Sequence, residues 1–464
     1  MRIDYTLGSD SNDLENITRW ARESFEDLRG GRVFLTGGTG FFGKWLLSSL
    51  LYANKKFSLG AEVVVLTRDP EGFLKNAPWF AEDPALKFHL GDVRWFEFPS
   101  EKCTHVIHAA TSTIDVGQPF QWLDTIVSGT RRTLEFARNT GARRFLFLSS
   151  GAVYGEQPET CQTLPEEYVG APNPLEAHSL YGEGKRMAEH LCCLYHAQFG
   201  LQTTIARCFA FVGPGLPLDA HFAIGNFIRD ALYADHIQVR GDGSPLRSYL
   251  YAADATAWLW TLLTKGASGR AYNVGSDQAL SIVELAQQVS DVLSLGKAIK
   301  ILGKTIPGAK RSRYVPNVQR ARVEFGLDVW TNIETALRKT RDWNQSHPKS
   351  VLPRSSVRSL KTFIVDVDGV VASPTQNMDY SQAQPLRTNI EAINRLYDAG
   401  HKIQMFTARG TMTGIDWRAI TEQQFQDWGL KYHSLHFGKP AGDYYIDDRM
   451  LSMETLHALA SECI

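Results

Sequence analysis

Arg32-Val33-Phe34-Leu35-Thr36-Gly37-Gly38-Thr39-Gly40-Phe41-Phe42-Gly43 decides the fold. A short apolar run runs straight into glycines at 37, 40 and 43, and a helical pattern opens at Phe41. Glycines so spaced allow a tight turn, close approach of a pyrophosphate, and close helix–strand contact. The helix N-terminus adds N–H donors and a partial positive charge. Many glycine turns bind nothing. At the first strand–helix junction of a doubly wound sheet, this one predicts a dinucleotide site on Gly37, Gly40, Phe41, Phe42 and Gly43.

Outward from that junction, short apolar runs alternate with helical stretches. Runs 32–36, 62–67, 105–109, 144–149 and 203–207 read as strands buried on both faces, and 41–53, 122–138 and 181–199 as helices. This rhythm predicts an α/β protein with a doubly wound parallel sheet. After Cys208 it loosens into Gly- and Pro-rich segments, as expected of a small lobe, with a last helix over 330–343. Upstream, Leu14, Ile17, Ala21, Phe25 and Leu28 mark one face of a helix within residues 1–30, with Asn12 and Glu15 as its capping box. That helix is expected to pack on the body of the protein or on a second subunit.

The end of the second strand reads Leu66-Thr67-Arg68-Asp69. An acid there would hold the adenosine ribose of NAD. Thr67 stands in its place, and Arg68 can pair with a 2′-phosphate, which favours NADP. Arg68 stacked on adenine would be compatible with NAD. Asp92, in Gly91-Asp92-Val93 after the third strand, can accept from the adenine amino group.

Leu148-Ser149-Ser150-Gly151-Ala152-Val153-Tyr154-Gly155 closes the fifth strand, and Tyr181-Gly182-Glu183-Gly184-Lys185 opens the next helix. Positions 181 and 185 share a helix face. The Lys185 ammonium, with the cofactor's positive ring, can lower the Tyr181 pKa, making it a general base towards a sugar hydroxyl and an acid towards a ketone. Ser150 would orient that oxygen. With 16 tyrosines, a lysine four residues on is expected by chance about once, so the spacing matters only in combination.

The combination resembles the extended short-chain dehydrogenase/reductase family of nucleotide-sugar epimerases and dehydratases, over about residues 32–343. His108-Ala109-Ala110, Gly241-Asp242-Gly243 with Arg247, and Tyr272-Asn273-Val274-Gly275-Ser276 extend the match. The resemblance implies a Rossmann-type sheet with a substrate lobe. It also implies dinucleotide contacts at Val93, Ala109, Ala110, Tyr181 and Lys185, a substrate diphosphate on Arg247, and a positional His108. Dehydratases and decarboxylases of the family carry acids just after the catalytic hydroxyl residue. Here those positions are Gly151 and Ala152, which favours epimerisation or ketone reduction. Ala210 and Ile126 stand where the family has asparagines.

Residues 346–361 hold two prolines, five serines, four basic residues and no acid, and read as a linker. Beyond it the alternation restarts. Phe363-Ile364-Val365-Asp366-Val367-Asp368-Gly369 is a strand ending in paired carboxylates, Asp366 as nucleophile and metal ligand, Asp368 as acid/base and, through its carbonyl, a further metal ligand. Thr407, after the strand 402–406, can bond a phosphoryl group; Lys439 can neutralise it; Asp447 and Asp448 can complete a Mg²⁺ site. In this order the four pieces resemble the haloacid dehalogenase superfamily of phosphatases over 360–464. About 17 residues between Val370 and the next helix leave no room for a cap. His433 and His436, three apart on a strand, face opposite sides and make no metal pair.

The expected organisation is 1–30 helical extension, 31–345 epimerase/dehydratase-like domain, 346–359 linker, and 360–464 capless phosphatase-like domain. The chain has 464 residues, enough for two to three domains at about 150 each. A net charge of -1 argues against a nucleic-acid partner. Six cysteines without CxxC spacing read as reduced thiols. The most apolar stretch, 249–264, is interrupted by Asp254, so a membrane partner is not expected. The reading is a cytoplasmic, homodimeric, bifunctional sugar-metabolism enzyme of the polysaccharide-building kind. It would act on a nucleotide sugar with NAD or NADP, and on a phosphorylated small molecule with Mg²⁺. The alternatives are a nucleotide-sugar dehydratase or decarboxylase, and a sugar-nucleotide-binding scaffold with one degenerate domain.

Overall fold

The computed structural model describes residues 12–111, 119–220, 222–293, 296–304, 308, 310–347, 362–375, 378–411 and 413–439. The chain divides into two compact units, Met1–Val351 and Leu352–Ile464.

In the first unit α1 (Asn12–Trp20) and α2 (Arg22–Asp27) precede β1 (Arg32–Thr36), α3 (Phe41–Phe57), β2 (Glu62–Thr67) and α4 (Pro70–Asn76). Then come β3 (Leu86–Leu90), β4 (His105–His108), α5 (Pro119–Thr140), β5 (Arg144–Ser150), α6 (Leu180–Phe199) and β6 (Thr203–Cys208). With the strand Arg270–Val274 at one edge they form a seven-stranded sheet, continuing through β6, β5, β4, β1 and β2 to β3. Every pairing in it is parallel. The order reverses at β1, between β4 and β2, and such a switch point opens a crevice at the strands' carboxyl ends.

Strand side chains alternate faces, and each face feeds a different core. Val33, Leu35, Val63 and Val65 join one cluster with α3 and the helix Ala252–Lys265. Phe34, Val64 and Val106 join the other, with Phe136 of α5 and Ala188 of α6. Asp254, the charge inside the apolar stretch, is buried and accepts from the Thr331 N–H and hydroxyl, both at 2.8 Å. Among the described residues no helix is long and apolar enough to cross a membrane.

The N-terminal face differs from the expected single helix. The chain breaks at Ala21, with φ -107° and ψ 27°. Leu14, Ile17, Ala21, Phe25 and Leu28 are nonetheless all buried in the first core. The break lets α1 and α2 each lie against the helix Ala252–Lys265, and Phe25 meets Trp260 at a ring separation of 5.5 Å. Asp13 is buried and accepts from the Tyr251 hydroxyl and from Lys339 Nζ, both at 2.6 Å. These helices are part of the core of the first unit.

After β6 the chain builds a small sheet in which Leu246–Arg247 lies between Leu280–Ser281 and Arg313–Tyr314. In the second unit the strands Thr362–Asp366, Lys402–Thr407 and Ser434–Phe437 form a parallel sheet in that order. Val365, Ile393, Leu396, Ile403, Met405 and Phe425 are buried in its core.

Candidate active site

The glycine loop owes its sequence to two different constraints. Gly37 has φ +72°, and a Cβ there would lie 2.5 Å from the Ala109 carbonyl oxygen. A Cβ on Gly43 would lie 2.3 Å from the Gly38 carbonyl, so only glycine lets α3 start this close to β1. Gly40 is roomier, its nearest neighbour for a Cβ being Gly37 O at 3.4 Å. It caps α3 without a side-chain hydrogen bond, leaving the first helical N–H groups to a ligand. A cleft of about 1080 Å³ opens there. Of the expected dinucleotide contacts, Gly37, Gly40, Thr67, Arg68, Asp92, Val93, Ala109 and Ala110 line it; Phe41, Phe42 and Gly43 do not. The extent of the cleft and its bare helix N-terminus fit a dinucleotide.

Asp92 is already engaged. Its carboxylate accepts from Arg94 Nε and Nη2 at 2.9 and 3.0 Å, and this pairing holds its pKa below the usual range. Arg68 extends into solvent with Nη1 4.0 Å from Asp92. Arg94 and Lys44, which also line the cleft, carry no motif that marks them in the sequence.

Ser150, Tyr181 and Lys185 lie beyond the lining of this cleft, and Tyr181 and Lys185 touch residues that line it. Trp122 lines the cleft and stacks on Tyr181 at 5.3 Å. Thr111 lines it and accepts from Lys185 Nζ at 3.0 Å, while the Leu148 carbonyl accepts from the same ammonium at 2.8 Å. Nζ sits 5.9 Å from the Tyr181 ring centre, as the shared helix face requires. Burial lowers Lys185 to a pKa of about 8. It also pushes Tyr181 up to about 12, opposed by the Ser150 hydroxyl. His108 is buried between Thr36 Oγ1 at 2.7 Å and Thr130 Oγ1 at 3.0 Å, and burial lowers its pKa to about 3. It ties β4 to β1 and α5 as a neutral ring.

Arg247 lies in register with Tyr314 on the neighbouring strand. Its guanidinium donates to the Leu246 carbonyl at 2.8 Å and to Ser312 Oγ at 3.3 Å. Where a carboxylate would be sought, at Gly151, the space is filled: a Cβ there would meet the Tyr314 hydroxyl at 2.6 Å and the Phe209 ring at 2.7 Å. Tyr314 thus belongs to the site, and no local motif announces it.

In the second unit Asp366 ends its strand and pairs with Lys439. Thr407, buried at the end of the next strand, accepts from the Arg409 N–H at 3.1 Å. Asp368 is tied to Arg409 through bonds of 2.7 and 3.0 Å, with the guanidinium itself fully buried. Asp447 and Asp448 lie outside the described residues. Among the described residues no group of three histidine, cysteine or acidic side chains is placed to hold a metal. His433 accepts from the Ile403 N–H while His436 pairs with Ser434, so these two histidines stay apart.

Against known proteins, the family model described as NAD dependent epimerase/dehydratase family matches residues 33–275. UDP-glucuronic acid decarboxylase 6 of Arabidopsis thaliana is 31% identical over 307 residues, 66% of this chain and 86% of that protein. UDP-glucuronic acid decarboxylase 1 of Xenopus tropicalis is 29% identical over 310 residues, 67% of this chain and 71% of that one. The structure of RMD from Pseudomonas aeruginosa complexed with NADPH aligns with a TM-score of 0.55 and 26% identity, over 68% of this chain and 99% of that one.

Proposed function

This chain belongs to the NAD dependent epimerase/dehydratase family, and we propose that its first unit oxidises a hydroxyl of a UDP-linked sugar at the Ser150–Tyr181–Lys185 site. The observation that carries this reading is the placement of Tyr181 and Lys185 beside the glycine-loop cleft, joined to it through Trp122 and Thr111. The dinucleotide, when bound, supplies the hydride acceptor. Tyr181 takes the hydroxyl proton, Ser150 holds the oxygen, and Lys185, protonated at neutral pH with a pKa of about 8, puts a positive charge beside the phenol. Arg247 offers its guanidinium to the diphosphate.

At the step after oxidation the relatives point away from the expectation drawn from the sequence. Gly151 and Ala152 favoured epimerisation or ketone reduction, whereas the curated relatives are decarboxylases. Chemistry reconciles the two. A 4-ketouronate is a β-keto acid, and its C5–carboxylate electrons flow to the ketone oxygen without a base; only a proton must return to C5. Loss of water across C5 and C6 does need a base at C5, and neither position offers one. The reading is therefore decarboxylation of a UDP-uronic acid, with the dehydratase arm excluded. Incubating the full chain with NAD⁺ and UDP-glucuronic acid should yield carbon dioxide and, by mass spectrometry, either a UDP-4-ketopentose with one equivalent of reduced dinucleotide or, where that hydride returns to the C4 ketone, a UDP-pentose with the dinucleotide unchanged. Turnover of UDP-glucose or UDP-galactose alone would return the epimerase reading, and a 4-keto-6-deoxy product would overturn the argument from Gly151 and Ala152.

For the second unit we propose phosphate-monoester hydrolysis with Asp366 as nucleophile. The Asp366–Lys439 pair beside Thr407 supports this, since attack on a dianion needs a cation at the nucleophile. In a phosphate-ester screen run with Mg²⁺ and with chelator, Asp366→Asn should remove all hydrolysis. Hydrolysis that survives this substitution would make the unit's carboxylate pair a structural one.

A further inference from the structure

Arg409 stands two residues beyond Thr407, just past the middle strand of the second unit, and none of its side chain is exposed. A buried guanidinium costs free energy unless its N–H groups are matched. Those of Arg409 are matched from two directions. Nε donates to Asp368 Oδ2 at 3.0 Å and Nη2 to Asp368 Oδ1 at 2.7 Å. On the other side Nη1 donates to Thr421 Oγ1 at 3.1 Å and to Gln424 Oε1 at 2.7 Å, both on the helix Arg418–Trp428. Gln424 is fixed in turn, donating from Nε2 to the Tyr380 carbonyl at 2.7 Å, and the Tyr380 ring lies 4.9 Å from the guanidinium carbon. The helix therefore sets the guanidinium plane, and the plane sets the carboxylate. Asp368 keeps 26% of its side chain exposed. The carboxylate can meet a substrate; the guanidinium behind it cannot.

We propose that Arg409 is a positioning residue of the second unit: it holds both oxygens of Asp368 in place for the water step of phosphate-ester hydrolysis. In the first step Asp366 attacks phosphorus and the ester oxygen leaves with the bonding pair. In the second, water attacks the phosphoryl group on Asp366. Asp368 takes the water's proton as the Asp366–phosphorus bond breaks and inorganic phosphate departs. A base serves that step only when it is held at one place, and a short carboxylate two bonds from the backbone turns freely unless something grips it. The planar fork of an arginine grips two oxygens at once, which the single ammonium of a lysine does not. Arg409 also reaches a second expected site residue, since its backbone N–H donates to Thr407 Oγ1 at 3.1 Å.

The inference rests on Asp366 being the nucleophile proposed above, and rapid mixing of the full chain with p-nitrophenyl phosphate and Mg²⁺ separates the two. Nitrophenolate leaves without needing a proton, so its first equivalent reports attack by Asp366 and its later release reports the water step. Asp366→Asn should remove both. Arg409→Lys should release one equivalent in a burst and then turn over at least about 10-fold more slowly than the wild type. KM should fall along with kcat, because the phosphorylated enzyme accumulates. Asp368→Asn should show the same pattern, and the double variant should be no slower than Asp368→Asn. Gln424→Leu loosens the guanidinium from the helix side and leaves the charge pair intact. It should give the burst with a smaller slowing, so the test does not depend on Arg409→Lys folding. If no hydrolysis disappears with Asp366→Asn, the phosphatase reading falls and this proposal with it. If that hydrolysis is present but Arg409→Lys and Gln424→Leu turn over like the wild type, or lose burst and turnover together while Asp368→Asn keeps its burst, the positioning role alone is wrong.

Discussion

Tyr181 and Lys185 illustrate how a residue's chemistry depends on its surroundings. On an open helix they would be a phenol and an ammonium with ordinary pKa values. Here burial pushes Tyr181 up to about 12 and lowers Lys185 to about 8. The proton transfer proposed at Tyr181 would therefore rely on charge and hydrogen bonds brought to the phenol, not on its intrinsic acidity. Replacing Tyr181 with Phe keeps the ring that stacks on Trp122 and removes only the oxygen. Turnover, followed as carbon dioxide released, should fall by at least about 100-fold, the usual worth of a positioned acid/base. Dinucleotide affinity by calorimetry should stay nearly unchanged. A variant with near wild-type turnover would place the acid/base elsewhere.

At the scale of elements, the β1–α3 junction and the α1–α2 pair make opposite demands. The junction has no room. Gly43→Ala would put a methyl group 2.3 Å from the Gly38 carbonyl, so α3 must lift from the loop. Dinucleotide binding should be lost, and stability should fall by about 1–3 kcal/mol as an overpacked site. Gly241→Ala, which meets nothing within 4 Å, is the control and should change neither. The α1–α2 pair has its apolar face filled. Phe25 is fully buried against Trp260, and Phe25→Ala should cost about 3–5 kcal/mol in a denaturant titration. A loss near zero would mean that the N-terminal helices do not belong to the cooperative core.

At the scale of the whole molecule, buried histidines set how the protein answers acid. His105 and His108 are held neutral by burial, at pKa values of about 4 and about 3. An unfolded histidine titrates near 6.5. Above that value neither state binds the proton, so nothing is gained or lost. Between about 6.5 and 4 the unfolded chain takes up protons that the folded chain refuses, and stability falls with pH. The thermal midpoint should therefore decline on acidification through this window, and His108→Asn should flatten the decline even if it lowers the midpoint overall. An unchanged slope would assign the acid limb to carboxylates.

The sequence by itself determined the sheet, the glycine loop and the helix that carries Tyr181 and Lys185 on one face. Each is written in local terms: apolar runs of strand length, glycines where a Cβ has no room, and two side chains one helical turn apart. It also marked Asp366, Thr407 and Lys439, which the fold brings to one end of a small parallel sheet. Only the tertiary structure decided who meets whom. Tyr314 in the space at Gly151, Asp13 on Tyr251 and Arg409 on Asp368 bring together residues from different segments, and no local period encodes such a meeting. The break at Ala21 is of the same kind, since a 3.6-residue pattern records which face is buried but not how that face must turn to stay on its partner. Local rules choose the elements; the donors, acceptors and empty space that make a site exist only once distant segments are packed together.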